Sequence, residues 1–180
     1  MYFDAHCHLD FPAFDEDRNA VLERAASVGV TRFVVAGVDP AGWERQRALA
    51  AAYKGVIWTA GVHPVRAAEM EAQERYDAIQ SLMALVGTFG GPRGIGETGL
   101  DRRFAPKESL ERQMASFRAH LAVARDGELP VVLHIIGAHG AALDVLRKDG
   151  ISKAGGMVHS FSGHRDVAGD YIRHGLHISF

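Results

Sequence analysis

The sequence holds one cysteine, Cys7, so no intrachain disulfide can staple it. A buried apolar core must hold the fold instead, as is usual in a reducing compartment. No apolar run approaches the ~18 residues that cross a bilayer. The first residues lack the charged and apolar regions of a secretory leader. Together these absences lead to the expectation of a cytoplasmic protein. Long Lys/Arg runs are missing too, and the formal net charge is −2. That argues against tight, non-specific binding along a duplex, though not against an enzyme gripping one or two phosphates. Linkers, low-complexity tracts and internal repeats are also missing. The 180 residues, 47% hydrophobic and 23% charged, are therefore expected to form a single domain over 1–180 with a full core. What the chain has in number is histidine, ten in all.

Strand and helix patterns alternate. Tyr2 and Phe3 lead a strand into Asp4-Ala5-His6-Cys7-His8, and Leu9-Asp10-Phe11-Pro12 turns it. Ala20, Val21, Ala25 and Val28 recur at helical spacing within Asp15 to Val28, and Gly29 stops that helix. Thr31 to Ala36 reads as a strand buried on both faces. Asp39 caps a second helix, with Pro40 at its first position and Gly55 past its end. Val56 to Val62 reads as a third strand and Glu69 to Val86 as a third helix. Gly94 to Glu97 is a short fourth strand, followed by a helix over Lys107 to Arg125. Strands over Pro130 to His134, Gly156 to His159 and Leu176 to Phe180 alternate with helices over Ala138 to Lys148 and Asp166 to Arg173. Such alternation means a parallel sheet covered by helices, either open and doubly wound or closed as a barrel.

The chemistry-bearing residues decide between these. His6 and His8 share a face of their strand, because side chains alternate with period two, while Cys7 points into the core. His6, His8, His63, Glu97, His134 and His159 all fall at the C-terminal ends of expected strands. In a barrel those ends meet at one mouth; in an open sheet they would be strung along a row. Gly94-Ile95-Gly96-Glu97-Thr98-Gly99 matches a dinucleotide-binding pattern, but Leu100 to Pro106 follows where a helix should open. The glycines are better read as letting Glu97 approach a metal. Ionised Glu97 on a buried strand needs a cation or an ion-pair partner. His63 can contact substrate or hydrogen-bond the loop at Pro64. Asp101 can orient a ligand histidine. Arg102 and Arg103 lie on the same mouth and suit phosphate, and His139 and His164 sit in loops there as substrate contacts. His120, His174 and His177 receive no role.

These stretches together resemble the TatD-type metal-dependent deoxyribonucleases of the amidohydrolase superfamily. The matching segments are Asp4 to Asp10, Gly61 to Pro64, Gly96 to Asp101, Pro130 to His134 and Val158 to Gly163, in the family's order. The resemblance implies a TIM-type (β/α)8 barrel and two divalent ions, Zn, Mn or Mg, with four histidines favouring the first two. It implies that His6 and His8 hold one ion, that His134 and His159 hold the other, and that Glu97 bridges them as catalytic ligand. It implies hydrolysis of DNA phosphodiester bonds by metal-activated water. The carboxylated lysine of related barrels has no counterpart, since none of Lys54, Lys107, Lys148 and Lys153 falls at a strand's C-terminal end. Two departures stand out. Ile136 occupies a position where the family usually has arginine, and the family's later Glu-Thr-Asp motif does not occur before Phe180. The expectation is therefore a barrel with about seven strands, shortened before the last, with open edges suited to self-association. Hydrolysis of a small-molecule amide or ester is the alternative within the superfamily. A fragment that only binds metal or a partner is the alternative outside it.

Overall fold

The computed structural model describes residues 1–103 and 107–180; of 107 and 108 only the backbone is described. The strands are β1 (Tyr2–Cys7), β2 (Val30–Val35), β3 (Val56–Trp58), β4 (Ile95–Asp101), β5 (Val131–Ile136), β6 (Gly156–His159) and β7 (Leu176–Ile178). The helices are α1 (Arg18–Ser27), α2 (Trp43–Ala52), α3 (Pro64–Glu69), α4 (Ala72–Leu85), α5 (Lys107–Asp126), α6 (His139–Asp149) and α7 (Arg165–Arg173). Every strand pairing is parallel, in the orders β1-β2-β3 and β4-β5-β6-β7. The two groups meet where Ala60 bridges Ile95, with Gly96 donating to the Ala60 carbonyl and Glu97 to that of Gly37. Among the described residues no strand covers the outer edge of β1 or of β7. No helix among the described residues is long and apolar enough to cross a membrane.

Several elements differ from the sequence expectation, each for a physical reason. The third strand ends at Trp58, because the chain beyond it turns in to meet β4 through one bridge only. The expected helix over 69–86 is found as α4, and a further short helix, α3, precedes it. Pro64 opens α3, and His63 caps it by accepting from the Val65 amide. Met70 is then extended, and a reciprocal capping box between Glu71 and Glu74 starts α4. Only the half of β2 from Phe33 onward is buried; its start joins the exposed Tyr2 and Phe3 in an uncovered rim. β4 runs past Glu97 to Asp101; its ladder with β5 is interrupted at Gly96 and Glu97 and resumes from Thr98 to Asp101. That extended run through Gly99 excludes a dinucleotide loop; Pro106, the other ground for rejecting one, lies outside the described residues.

The core lies inside this curved sheet and under its helices. Trp58, Leu82, Ile95, Phe117, Leu121, Leu133, Ile135 and Leu146 are all 1% exposed or less. Burying one such side chain contributes about 1.5–3 kcal/mol. Glycine has a steric role where the two groups of strands meet. A Cβ on Gly61 would lie 2.5 Å from the backbone of Gly96 and 2.6 Å from the Glu97 carbonyl oxygen. Gly61→Ala should therefore push β4 away from the third strand's continuation. The expected result is a loss of at least about 2 kcal/mol of stability by urea unfolding, as for overpacked cores. An unchanged midpoint would show that the two backbones can separate freely.

A candidate metal centre at the strand ends

Glu97 is 2% exposed and stands at the centre of five imidazoles. Its Oε2 lies 3.2 Å from His6 Nε2 and 3.5 Å from His8 Nε2. Its Oε1 lies 2.7 Å from His159 Nε2, 3.0 Å from His134 Nδ1 and 3.6 Å from His63 Nε2. Local structure aims each side chain. His6 is in β1 and His8 just past its end, so the two rings share a face, with centroids 5.0 Å apart. His134 and His159 are register partners on β5 and β6. The His6 and His159 rings stack at 3.9 Å. β1 and β6 are five strands apart in order, which in a flat sheet means about 24 Å. Contact between their ends therefore requires the curvature of a barrel wall.

The sequence-predicted residues distribute as follows. His6, His8, Glu97, His134 and His159 come together, and Asp101 meets His134 Nε2 at 2.9 Å. His63, expected at the substrate or at its own loop, caps α3 and also joins the cluster, 3.3 Å from His134 Nδ1. Arg103 folds back onto Asp101, with Nη2 2.8 Å from Oδ2 and Nε 3.2 Å from Oδ1. Arg102 is exposed, its amide bonded to the Ile136 carbonyl. His164 is exposed at the start of α7. His139 turns toward Tyr171, with Nδ1 3.1 Å from the hydroxyl. Phe11 was not anticipated. It stacks on His8 at 4.8 Å and helps line a cavity of about 470 Å³ in front of the cluster, with Val38, Val65 and Arg66. Arg66 was also missed. It is ion-paired to Asp39 at 2.6 Å and to Glu69 at 3.6 Å.

The electrostatics favour a cation. Burial acts to raise the Glu97 carboxyl, but hydrogen bonding from His134, His159 and His6 outweighs it and holds the group well below the usual carboxylate range. Burial likewise opposes ionisation of Asp101, and Arg103 and His134 overcome it. Burial acts to lower the His134 imidazole, yet Glu97 and Asp101 on its two sides raise it. Ring nitrogens crowd at the centre: His134 Nδ1 is 3.0 Å from His159 Nε2, and both lie within 3.0 Å of Glu97 Oε1. His6, Glu97 and His159 form one group able to hold an ion, and His63, Glu97 and His134 form another. Ligands about 2.1 Å from a tetrahedral zinc lie about 3.4 Å from one another. The separations of 3.0–3.6 Å found for most pairs match that value. The residues present therefore fit a divalent ion.

The sequence profile described as TatD related DNase matches residues 3–180. This chain belongs to that family. TatD-type relatives include the uncharacterized metal-dependent hydrolase YcfH of Escherichia coli K12. It is 32% identical over 180 residues, which cover 98% of this chain and 65% of YcfH. A 3'-5' ssDNA/RNA exonuclease TatD from Rahnella is 36% identical, again with 98% of this chain and 65% of the relative covered. The chain thus spans about 65% of the length of these curated relatives. The crystal structure of YJJV, a TatD homologue from Escherichia coli K12, superposes with a TM-score of 0.86 at 30% identity, covering 98% of this chain and 66% of that one. A phosphotriesterase homology protein from Escherichia coli, at 16% identity and a TM-score of 0.71, shares the fold. The α/β architecture of parallel strands is therefore that of the TatD and amidohydrolase barrels.

Histidine burial makes the metal-free chain sensitive to acid. Burial lowers His63 and the fully buried His120 from 6.5 to about 4. Between those values the unfolded state binds the extra protons, so stability is complete above about pH 6.5 and declines toward pH 4. His134, whose value is raised, contributes in the opposite sense. His120 alone is worth roughly 3 kcal/mol across this window. Urea midpoints of the metal-free chain should fall steadily from pH 7 to pH 4, and a flat profile would contradict the burial of both rings.

Proposed function

We propose that this chain builds a metal-dependent phosphodiesterase centre that hydrolyses DNA, with two divalent ions gathered at Glu97. The observation that carries the reading is the convergence of five imidazoles, from four separate strands and their ends, on one buried carboxylate. The two oxygens of Glu97 divide the histidines as a bridging ligand would. His6 and His8 face Oε2, while His134, His159 and His63 face Oε1; the two groups able to hold an ion cut across this division, joining His6 to His159 and His63 to His134. The donor set of imidazole nitrogen and one carboxylate suits Zn²⁺ or Mn²⁺ better than Mg²⁺. Ions so bound polarise a phosphoryl oxygen and lower the pKa of a bound water.

The protein's own groups do the rest. Asp101 engages His134 Nε2 and so aims Nδ1 at the cluster, while Arg103 braces Asp101 from behind. Phe11, 39% exposed and stacked on His8, offers an aromatic face to a base. Arg102 and His164 are assigned to phosphate contact at the rim. The Rahnella relative is named an exonuclease of single-stranded DNA and RNA, and this supports a nucleic-acid substrate with a free end. The uncovered edges of β1 and β7 offer a route to self-association, and the single unpaired cysteine agrees with a cytoplasmic setting.

Calorimetric titration of the purified, metal-free chain with Zn²⁺ or Mn²⁺ at pH 7.5 tests the reading. Tight, stoichiometric binding is expected, reduced at least about tenfold in His6→Ala and His134→Ala and more in Glu97→Gln. Any hydrolysis of a 5'-labelled single-stranded oligonucleotide should vanish with a chelator and return with metal. No binding by the wild-type chain at this pH would end the proposal.

A further inference from the structure

We infer that His120, which lies outside the cluster, is a positioning residue that holds His63 in place through the Val62 backbone. The inference rests on the reading of His63 as a member of the metal-holding group. His120 is on α5 and has no exposed surface. Its Nε2 is 3.1 Å from the Val62 amide nitrogen, and its Nδ1 is 2.7 Å from the Ser116 carbonyl one helical turn earlier. A backbone amide can only donate and a carbonyl can only accept. Both ring nitrogens are thereby assigned: Nε2 presents its lone pair to Val62 and Nδ1 gives its proton to Ser116. The ring is a neutral imidazole in one tautomer.

Val62 immediately precedes His63. The His63 amide donates to the Val38 carbonyl at 2.9 Å, and its ring Nδ1 accepts from Val65. The short segment that presents His63 to Glu97 is therefore tied at three points. The loop after β2 supplies one and the first turn of α3 another. His120 supplies the third, linking the helical layer to the strand ends. Without an acceptor the buried Val62 amide must turn to find one, and the peptide that turns, Gly61–Val62, is the one immediately before the peptide that carries the His63 amide. An amide bonded to a side chain from another element is a stricter constraint than apolar packing, because it fixes direction as well as position.

The test separates this role from a merely space-filling one. In the wild-type chain with nitrogen-15 label, scalar coupling is expected across the hydrogen bond between the Val62 amide and His120 Nε2. Zn²⁺ loading is expected to raise the exchange protection of the Val62 amide. No coupling, or protection untouched by Zn²⁺, overturns the inference whatever the variants do. His120→Gln keeps an acceptor at the ring's outer position and should bind Zn²⁺ within about threefold of wild type. His120→Asn keeps only the donor facing Ser116 and should bind at least tenfold more weakly. Equal Zn²⁺ affinities for the two variants would show that the Val62 bond does not position His63. A wild-type chain that binds no Zn²⁺ would instead sink the metal reading itself, a result obtained before any variant is made.

Discussion

A carboxylate ringed by imidazoles and almost sealed from water is the constraint on which this structure turns. Glu97, 2% exposed, is unaffordable as an isolated charge. Its neighbours must bring protons or a cation, and they are supplied by β1, β5, β6 and the loops after β1 and β3. Those elements are distant in sequence and, in a flat sheet, would be distant in space. The curvature of the sheet, the glycines where backbones nearly touch, and the lengths of the strands are all consistent with delivering these side chains to one point. Gly99 illustrates the tolerance: a Cβ there would fall 2.1 Å from the His134 carbonyl oxygen. The strand that carries Glu97 and the strand that carries His134 can run this close only because the side chain is absent.

Much of this was legible in the sequence because period and position are local properties. The alternation of strand and helix patterns specified a parallel sheet covered by helices, open or closed. The placement of His6, His8, His134 and His159 at strand ends anticipated a shared mouth. What was not legible depends on contacts between distant segments. The extension of β4 to Asp101 comes from its pairing with β5, which no window around Gly96 contains. His63 reads as the end of a strand, yet it is the cap of α3 and a neighbour of His134. Arg102 and Arg103 are adjacent and alike in sequence but have different surroundings, since only the second closes on Asp101. His120 carries no sequence signal at all. Its partner is 58 residues away and is a backbone amide, which any residue provides.

The cluster is also layered. Behind His134 stands Asp101, and behind Asp101 stands Arg103. A neutral His134 that donates from Nε2 to Asp101 has only a lone pair at Nδ1 to offer Glu97 and His159. Without a cation the ring must take a second proton to satisfy both carboxylates, which is why its affinity for protons is raised despite burial. Protons and metal ions therefore compete for the same nitrogen. The arrangement that makes His134 a good proton acceptor in the metal-free chain is the one that makes it a good ligand.

This competition bears on the fold as well as the chemistry. The two groups of strands are joined by one backbone bridge, from Ala60 to Ile95, and by a few loop hydrogen bonds. His6, His8 and His63 project from the first group; Glu97, His134 and His159 project from the second. Each of the two candidate ion-holding groups draws on both sides, His6 with Glu97 and His159, and His63 with Glu97 and His134. An ion held by either would thus cross-link the two groups of strands. Whatever binds the native arrangement and not the unfolded chain stabilises it by mass action, about 2.7 kcal/mol at a hundredfold excess over the dissociation constant. The hydrogen bonds of the seam run through Gly96 and Glu97 themselves, so the join between the two groups of strands and the ligand at the centre share one short segment.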